Sequence, residues 1–204
     1  TVVAAAQFTA PLSGHFFMRY EVMSDGVPLT EAGLDAGLRL GMRDLLEQQE
    51  SRLVVRSASY RPRVALLASK ASHCVVDVLQ RWRTGELACD IVCVIANHAH
   101  IAENAGWFKV PFHHVDFRSQ EKDAAFAAID ALLDDFDVDL TVLARFMQVF
   151  PDHLVLKRHG AMINLHHSFL PSFAGARPYE QAHARGVKLV GSTVHSVTLT
   201  PGQG

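Results

Sequence analysis

The sequence predicts an α/β protein in two parts: a small α+β domain over residues 1–60, then a doubly wound, mainly parallel sheet over residues 61–204. After Pro62, short continuous apolar stretches alternate with amphipathic helical stretches, which is typical of parallel strands buried on both faces. Before Pro62, β-rich stretches flank one long helical stretch, which indicates a small two-layer unit. The second part is therefore expected to be a Rossmann-like sheet.

The first domain is expected to run in the order β-β-α-β. Strands are predicted at "TVVAAAQF", "HFFMRYEVM" and "RLVVRSAS", because these stretches alternate or are rich in β-forming residues. One helix is predicted within residues 29–49, where apolar residues recur at helical spacing: Leu34, Leu38, Met42, Leu45 and Leu46.

The second domain is expected to alternate strands with helices. Strands are predicted over residues 63–69, 90–97, 138–144 and 161–164, with shorter ones at "KVPFH" and "KLVGSTVHSV". Short helices are predicted near residues 99–106 and at "PYEQAHARG". Two longer helices are predicted from apolar residues that share one face, Val75, Val78, Leu79 and Trp82 in one and Phe126, Ile129, Leu133 and Phe136 in the other.

Composition excludes several classes of function. A net charge of -2 without a basic cluster argues against a nucleic-acid partner. The longest apolar stretches, such as "IVCVIA", are too short to cross a bilayer, and no signal segment opens the chain. The three cysteines have no regular spacing, which is typical of a reducing compartment. We therefore expect a cytoplasmic protein with no membrane partner.

Asn164 and His166 are the candidate catalytic pair. They follow the apolar stretch "AMI", at the carboxyl end of a predicted strand, where ligands bind in doubly wound sheets. In extended chain, residues two apart point to the same side, so both can face one pocket while His167 faces away. An Asn amide can stabilise a developing oxyanion, and a His can move a proton near neutral pH. The alternative is structural: Asn164 caps a turn and His166 packs, which is commoner for an isolated N-x-H pair.

Nucleotide and metal sites are not predicted. "SKASHCVV", which follows the first strand of the second domain, lacks the G-x-G-x-x-G and P-loop patterns, and Ser69 is expected to cap the next helix. None of the close histidine pairs has zinc-site spacing, and adjacent histidines in extended chain point to opposite faces. We expect neither a metal nor a bound cofactor.

The segment "VLARFMQVF" follows the third long strand of the second domain. Met147, Val149 and Phe150 could line an apolar slot for a heteroaromatic ring, with core packing as the alternative.

Several stretches together resemble one enzyme family. "SKASHCVVDVLQRWRTGEL", "VIANH", "VPFHH", "DLTVLARFMQVF" and "INLHHSFLPSFAGARPYEQAHARGVKLVGSTVHSVT" are similar to formyltetrahydrofolate deformylases, and "AQFTAPLSGHFFMRYEV" resembles their amino-terminal ACT domain. The resemblance implies an ACT-like regulatory domain followed by a catalytic domain of formyltransferase type. It also implies hydrolysis of 10-formyltetrahydrofolate to formate and tetrahydrofolate, which supplies formate for purine synthesis and balances one-carbon pools.

The resemblance implies roles for particular residues. Asn164 would hold the formyl oxygen and His166 would handle the proton, while Met147, Gln148 and Phe150 would border the pterin. Related transferases have a glycine-rich phosphate loop after the first strand, and "SKASHC" replaces it here. Water is therefore the expected acceptor, with no cofactor beyond the folate substrate. The alternatives are formyl transfer to an amine, or a catalytically dead module that senses folate or an amino acid. ACT domains bind small amino acids between chains, so a homo-oligomer with an amino-acid effector is expected.

The sequence departs from the family pattern at both ends. It begins inside the ACT pattern, so the first domain is expected to be incomplete at its start and prone to self-association. The family completes its catalytic group with an Asp, but Gly202 occupies that position, or Thr200 if two residues are deleted. The second domain is likewise expected to be incomplete at its end. We therefore expect the chain as written to be inactive or severely impaired.

Overall fold

The chain divides into two units, Thr1–Tyr60 and Arg61–Gly204. The computed structural model describes residues 1–11, 14–26, 29–48, 51–170, 172–173 and 177–199. Within these residues no helix has both the length and the apolar character needed to span a bilayer.

The first unit contains an antiparallel hairpin and two short helices. Strands β1 (Val2–Thr9) and β2 (Phe16–Val22) pair with each other, and helices α1 (Glu31–Gly41) and α2 (Arg43–Gln48) follow. The prediction of one continuous helix is wrong, because α1 ends at a glycine, a poor helix former, and α2 begins two residues later.

The predicted third strand at "RLVVRSAS" is also wrong. Residues 51–57 have no regular secondary structure. Their backbone groups bond to side chains of α1 instead of to a neighbouring strand. The Leu53 carbonyl accepts from Arg39 Nη2 at 3.2 Å, and the Ser57 N–H donates to Glu31 Oε1. A strand needs a ladder of backbone partners, and these bonds replace it.

The second unit is built on a six-stranded sheet in the order β5-β4-β3-β6-β7-β8. Its strands are β3 (Arg63–Ala68), β4 (Asp90–Ala96), β5 (Phe112–His114), β6 (Leu140–Leu143), β7 (Met162–His166) and β8 (Thr193–Ser196). The pairings from β5 to β7 are parallel, and β8 is antiparallel to β7. The predicted mainly parallel, Rossmann-like sheet is confirmed.

Five helices connect these strands: α3 (His73–Arg83), α4 (Ile101–Trp107), α5 (Lys122–Asp135), α6 (Asp152–Lys157) and α7 (Pro178–Ala184). Four of them were expected from the sequence. Helix α6 was missed because six residues are too few to establish a helical period.

Both faces of the sheet are buried, and strand β3 shows why. Ala65 and Leu67 belong to a core that also contains Phe126 of α5, whereas Leu66 belongs to a second core with Leu79 of α3. Alternate residues of a strand point to opposite faces, so a strand buried on both sides must be apolar throughout. The chain builds outward from β3 through β4 to β5, then returns to the other side of β3 with β6. Ligands bind where the strand order reverses in this way.

Helix α6 is fastened to α5 by ion pairs. Arg158, just after α6, has its Nη2 2.6 Å from carboxylate oxygens of both Asp130 and Asp134. Lys157 Nζ lies 2.6 Å from Asp130 and 2.8 Å from Asp134. Hydrogen bonds from Lys157 and Arg158 lower the pKa of Asp134. The four side chains form a clamp between the two helices, named here the α5–α6 clamp.

Candidate active site

A cleft of about 280 Å³ opens at the carboxyl ends of β6 and β7. It is lined by side chains from three stretches, within residues 143–155, 164–170 and 195–199. Each stretch begins on or beside a strand of the sheet, so the sheet fixes the position of the walls. A crevice at the carboxyl edge is where an open α/β sheet binds its ligands.

Asn164 is oriented by His195 from the neighbouring strand. The register of β7 and β8 places the two residues opposite each other, with Asn164 Nδ2 3.2 Å from His195 Nε2. His195 Nδ1 lies 2.8 Å from the Ser196 carbonyl oxygen, which can only accept. In the neutral ring Nδ1 therefore carries the proton, and Nε2 accepts from the Asn164 amide. One amide N–H of Asn164 is fixed in this way, which leaves the second available to a ligand.

His166 is oriented by the loop that follows β7. Its Nε2 lies 3.2 Å from the Phe173 carbonyl oxygen, which also accepts a hydrogen bond of 2.6 Å from Ser168 Oγ. Because the carbonyl accepts, Nε2 is the donor, and Nδ1 of the neutral ring holds the lone pair. His166 therefore presents a basic nitrogen within the same cleft as Asn164.

Thr193 ties this loop to strand β8. Its Oγ1 donates to the Ser168 carbonyl at 2.8 Å and accepts from the Leu170 N–H at 3.1 Å. The hydroxyl thus satisfies two backbone groups of the loop at once. This contact holds the backbone on which the orientation of His166 depends.

The apolar wall of the cleft is anchored in the core. The buried rings of Phe146 and Phe150 have centroids 5.9 Å apart, and Phe150 lies 4.9 Å from Phe126 of α5. Between the two anchors, Met147 is 61% exposed and Val149 is 68% exposed. The segment therefore presents apolar side chains to solvent from a rigid base.

Ser69 positions the same segment from the end of β3. Its buried Oγ accepts from the Met147 N–H at 2.9 Å. The interpretation of Ser69 as the cap of α3 is wrong, since the N-cap is Ser72, whose side chain makes no capping bond. The Ser69 hydroxyl bonds instead to the segment that follows the adjacent strand β6.

The electrostatics of the cleft centre on His167 and Arg145. His167 also lines the cleft, contrary to expectation, because β7 ends at His166 and the alternation of sides ends with it. Burial lowers the pKa of His167, and the charges of Arg145 and His166 lower it further. At neutral pH the ring is therefore uncharged. Among the described residues, no three His, Cys, Asp or Glu side chains are grouped as metal ligands.

Comparison with known proteins identifies the family. Residues 62–200 match the formyl transferase family model. Over 203 residues the chain is 37% identical to the formyltetrahydrofolate deformylase of Synechocystis sp., covering 100% of this chain and 70% of the relative. The chain belongs to the formyltetrahydrofolate deformylase family.

Solved structures of a deformylase and of a formyltransferase are similar to this fold. A formyltetrahydrofolate deformylase from Pseudomonas syringae is 40% identical with a TM-score of 0.86, and the match covers 98% of this chain and 66% of that one. A phosphoribosylglycinamide formyltransferase from Anaplasma phagocytophilum is 31% identical with a TM-score of 0.64, covering 71% and 69%. The chain therefore spans about two thirds of the length of these deformylase relatives.

The residues predicted from the deformylase resemblance come together. Asn164, His166, Met147, Gln148 and Phe150 all line the one cleft. Their catalytic and binding roles stay predictions, as does the expectation that the site uses no metal or cofactor. Two positions of this chain, Thr200 and Gly202, were compared with the family's catalytic Asp. Both lie outside the described residues.

Sequence reasoning missed two residues of the cleft, His195 and Arg145. His195 lies in the quoted "STVHSVT", but its contact with Asn164 depends on an antiparallel register that local pattern does not contain. Arg145 has a φ of 63°, a left-handed backbone conformation that is unusual for any residue except glycine. The "ARFMQVF" pattern carries no signal of it.

We expect Ser69→Ala to loosen the Met147 segment. Removing the Ser69 hydroxyl leaves the Met147 N–H without its acceptor, which should cost about 1 kcal/mol of unfolding free energy. Hydrogen exchange of the Met147 amide should become faster. The matched control is Ser72→Ala in the same loop, because Ser72 makes no side-chain capping bond. Equal effects of the two substitutions would contradict the assigned contact.

We expect His167 to titrate below its ordinary pKa of about 6.5. Because the folded chain resists protonation at this ring, the unfolded chain binds more protons as the pH falls. The contribution to stability should therefore be lost as the pH drops below about 6.5. NMR titration of the imidazole measures the pKa, and Arg145→Met should raise it by removing a like charge. An unchanged pKa in that variant would rule out the assigned electrostatic contact.

Proposed function

We propose that this chain catalyses hydrolysis of 10-formyltetrahydrofolate to formate and tetrahydrofolate. The observation that carries the proposal is the convergence of Asn164 and His166 in one cleft, each held by a partner that leaves a reactive group available. Relatives named formyltetrahydrofolate deformylase, matched over nearly the whole chain, support the same reaction.

The proposed mechanism uses the two residues in different roles. The second N–H of Asn164 donates to the formyl oxygen and stabilises the negative charge that develops there. Nδ1 of His166 takes a proton from the attacking water as its oxygen bonds to the formyl carbon. The carbon–nitrogen bond then breaks, and the proton is returned to the folate nitrogen. The formic acid formed in the cleft loses its proton to solvent at neutral pH and leaves as formate.

The apolar segment would hold the pterin ring. Met147 and Gln148 line the cleft, and the buried side chain of Phe150 anchors the segment in the core. Backbone groups of this short segment supply the polar contacts that a heteroaromatic ring requires for orientation. Formate released by this reaction would feed one-carbon units into purine synthesis.

The acceptor distinguishes this proposal from formyl transfer. Formyltransferases are also structural relatives of the chain, so the fold admits an amine acceptor. We favour water because the segment "SKASHC" after β3 contains no glycine, whereas a phosphate cradle needs small residues for close backbone approach.

Residues 1–60 are proposed to be an ACT-like regulatory domain that self-associates and binds an amino-acid effector. In support, the hairpin of β1 and β2 is exposed along its whole length and carries large apolar side chains, among them Phe8, Phe17 and Tyr20. Phe8 and Phe17 lie on one face of the hairpin and Met18 and Tyr20 on the other, so both faces offer apolar side chains that a second chain can cover. The three free cysteines support a reducing, cytoplasmic location.

We expect the chain to release formate from 10-formyltetrahydrofolate without any amine acceptor, at a severely reduced rate because the position of the family's Asp is occupied by another residue. Under single-turnover conditions, with protein in excess over substrate, even a severely slowed release of formate can be measured. The rate is then compared with that of the Synechocystis relative, which gives the extent of impairment. His166→Ala should lower the rate by about 10²–10⁴ and Asn164→Ala by about 10²–10³. His159→Ala is the control, because His159 is exposed and outside the cleft lining.

Two results would contradict the hydrolysis. Formyl loss that requires an added amine would identify a transferase. Saturable folate binding with no formate release at any protein concentration would show that this chain binds folate without catalysing hydrolysis.

We expect Phe17→Ser to reduce self-association. Phe17 is 58% exposed on the hairpin and stacks on Phe8, so a polar side chain removes part of the apolar surface. Sedimentation velocity measures the oligomeric state, with Trp107→Ser as a control at an exposed aromatic residue of the second unit. A monomer at all concentrations would contradict the proposed assembly.

A further inference from the structure

Arg145 is held in a backbone conformation that ordinarily favours glycine. It lies two residues beyond β6 with a φ of 63°. In this region the Cβ of an L-residue crowds the backbone, so a long side chain persists only when its surroundings enforce it. Strained residues of this kind are concentrated at functional sites.

The Arg145 side chain is partly buried, and its Nε is shielded from solvent without a polar partner. That nitrogen has no hydrogen-bond acceptor, and within the described parts of the chain no carboxylate pairs with the guanidinium. The buried arginine Arg158, by comparison, bonds to two aspartates. A shielded N–H donor without an acceptor is costly, and an anion bound at Nε would remove that cost.

Arg145 lines the same cleft as the two candidate catalytic residues, Asn164 and His166. Among the described residues that line the cleft, it is the one lysine or arginine. Its positive charge lowers the pKa of His167, whose ring centroid lies 5.5 Å from that of His166. The charge of Arg145 therefore reaches His167, the neighbour of His166, and it also acts on Cys74 of α3.

We propose that Arg145 binds the carboxylate of formate as it forms, and so selects water as the acceptor. This inference rests on the proposed hydrolysis. When water attacks, an oxygen–carbon bond forms, the carbon–nitrogen bond breaks, the folate nitrogen gains a proton and the product ionises to formate. Transfer of the formyl group to an amine gives a neutral amide and never an anion. A guanidinium matches the two oxygens of a carboxylate with paired N–H donors, so it stabilises the hydrolytic product specifically.

The substrate offers a second carboxylate, in its glutamate tail. Both sources have the same chemistry, but formate forms in the cleft that Arg145 lines together with Asn164 and His166, which favours formate. The two are distinguished by comparing tetrahydrofolate with tetrahydropteroate, which lacks the glutamate. Arg145→Met should affect the binding of the two compounds equally if Arg145 holds formate.

The decisive experiment is titration of ¹³C-formate into the full chain, followed by NMR line broadening. Arg145→Met should weaken formate binding by about 10-fold or more, as expected for loss of a charged hydrogen bond. Arg145→Lys should restore it in part, because the charge remains without the paired donors. The control is Arg83→Met, which removes the same charge from an exposed position on α3.

Arg145→Gly separates this role from a structural one. Glycine adopts the same φ without strain, so the unfolding midpoint should not fall, while formate binding should be lost. A marked fall in the midpoint with formate binding retained would make Arg145 structural and overturn the inference. So would unchanged formate binding in Arg145→Met, or weaker binding of tetrahydrofolate alone. If wild type binds formate through Arg145 but releases none from 10-formyltetrahydrofolate, the anion site stands and the proposed hydrolysis is wrong.

Discussion

The hydrogen bond between Asn164 and His195 depends on the one antiparallel pairing in the six-stranded sheet. If β8 were shifted by one residue, His195 would project from the other face of the sheet, away from Asn164. Asn164 would then keep no fixed orientation, because its amide could rotate freely. The same strand carries Thr193, whose hydroxyl holds the loop around His166. Strand β8 thus orients both candidate catalytic residues while contributing neither of them.

The parallel strands of the sheet hold the apolar wall of the cleft in a fixed position. β3 is central in the unit and apolar on both faces, and it ends at Ser69, which fixes the Met147 backbone from across the sheet. The apolar wall of the cleft is then anchored a second time by Phe150 in the core beneath α5. A binding surface held at both its backbone and its side chains loses little conformational freedom when a ligand binds.

The sequence was sufficient for those features that depend on local pattern. Continuous apolar stretches identified the buried strands, and Asn164 and His166 could be placed at a strand end from spacing alone. Three features needed information from distant residues. The "RLVVRSAS" segment has strand composition, but its backbone bonds to α1 side chains instead of another strand. The Ser69 hydroxyl has its partner 78 residues away. The left-handed backbone of Arg145 cannot be inferred from its residue type, because arginine ordinarily has a negative φ.

The α5–α6 clamp determines how the cleft responds to ionic strength. Helix α6 has only six residues and is too short to be stable by itself, so its attachment to α5 maintains it. Salt screens exposed charges far more than shielded ones. The pair of Arg158 with Asp130 is largely shielded, with side chains 11% and 18% exposed, whereas Lys157 and Asp134 are 45% and 55% exposed. Added electrolyte therefore weakens the exposed pair of Lys157 with Asp134 before the shielded pair of Arg158 with Asp130. The shielded pair keeps α6 attached to α5 as the ionic strength rises.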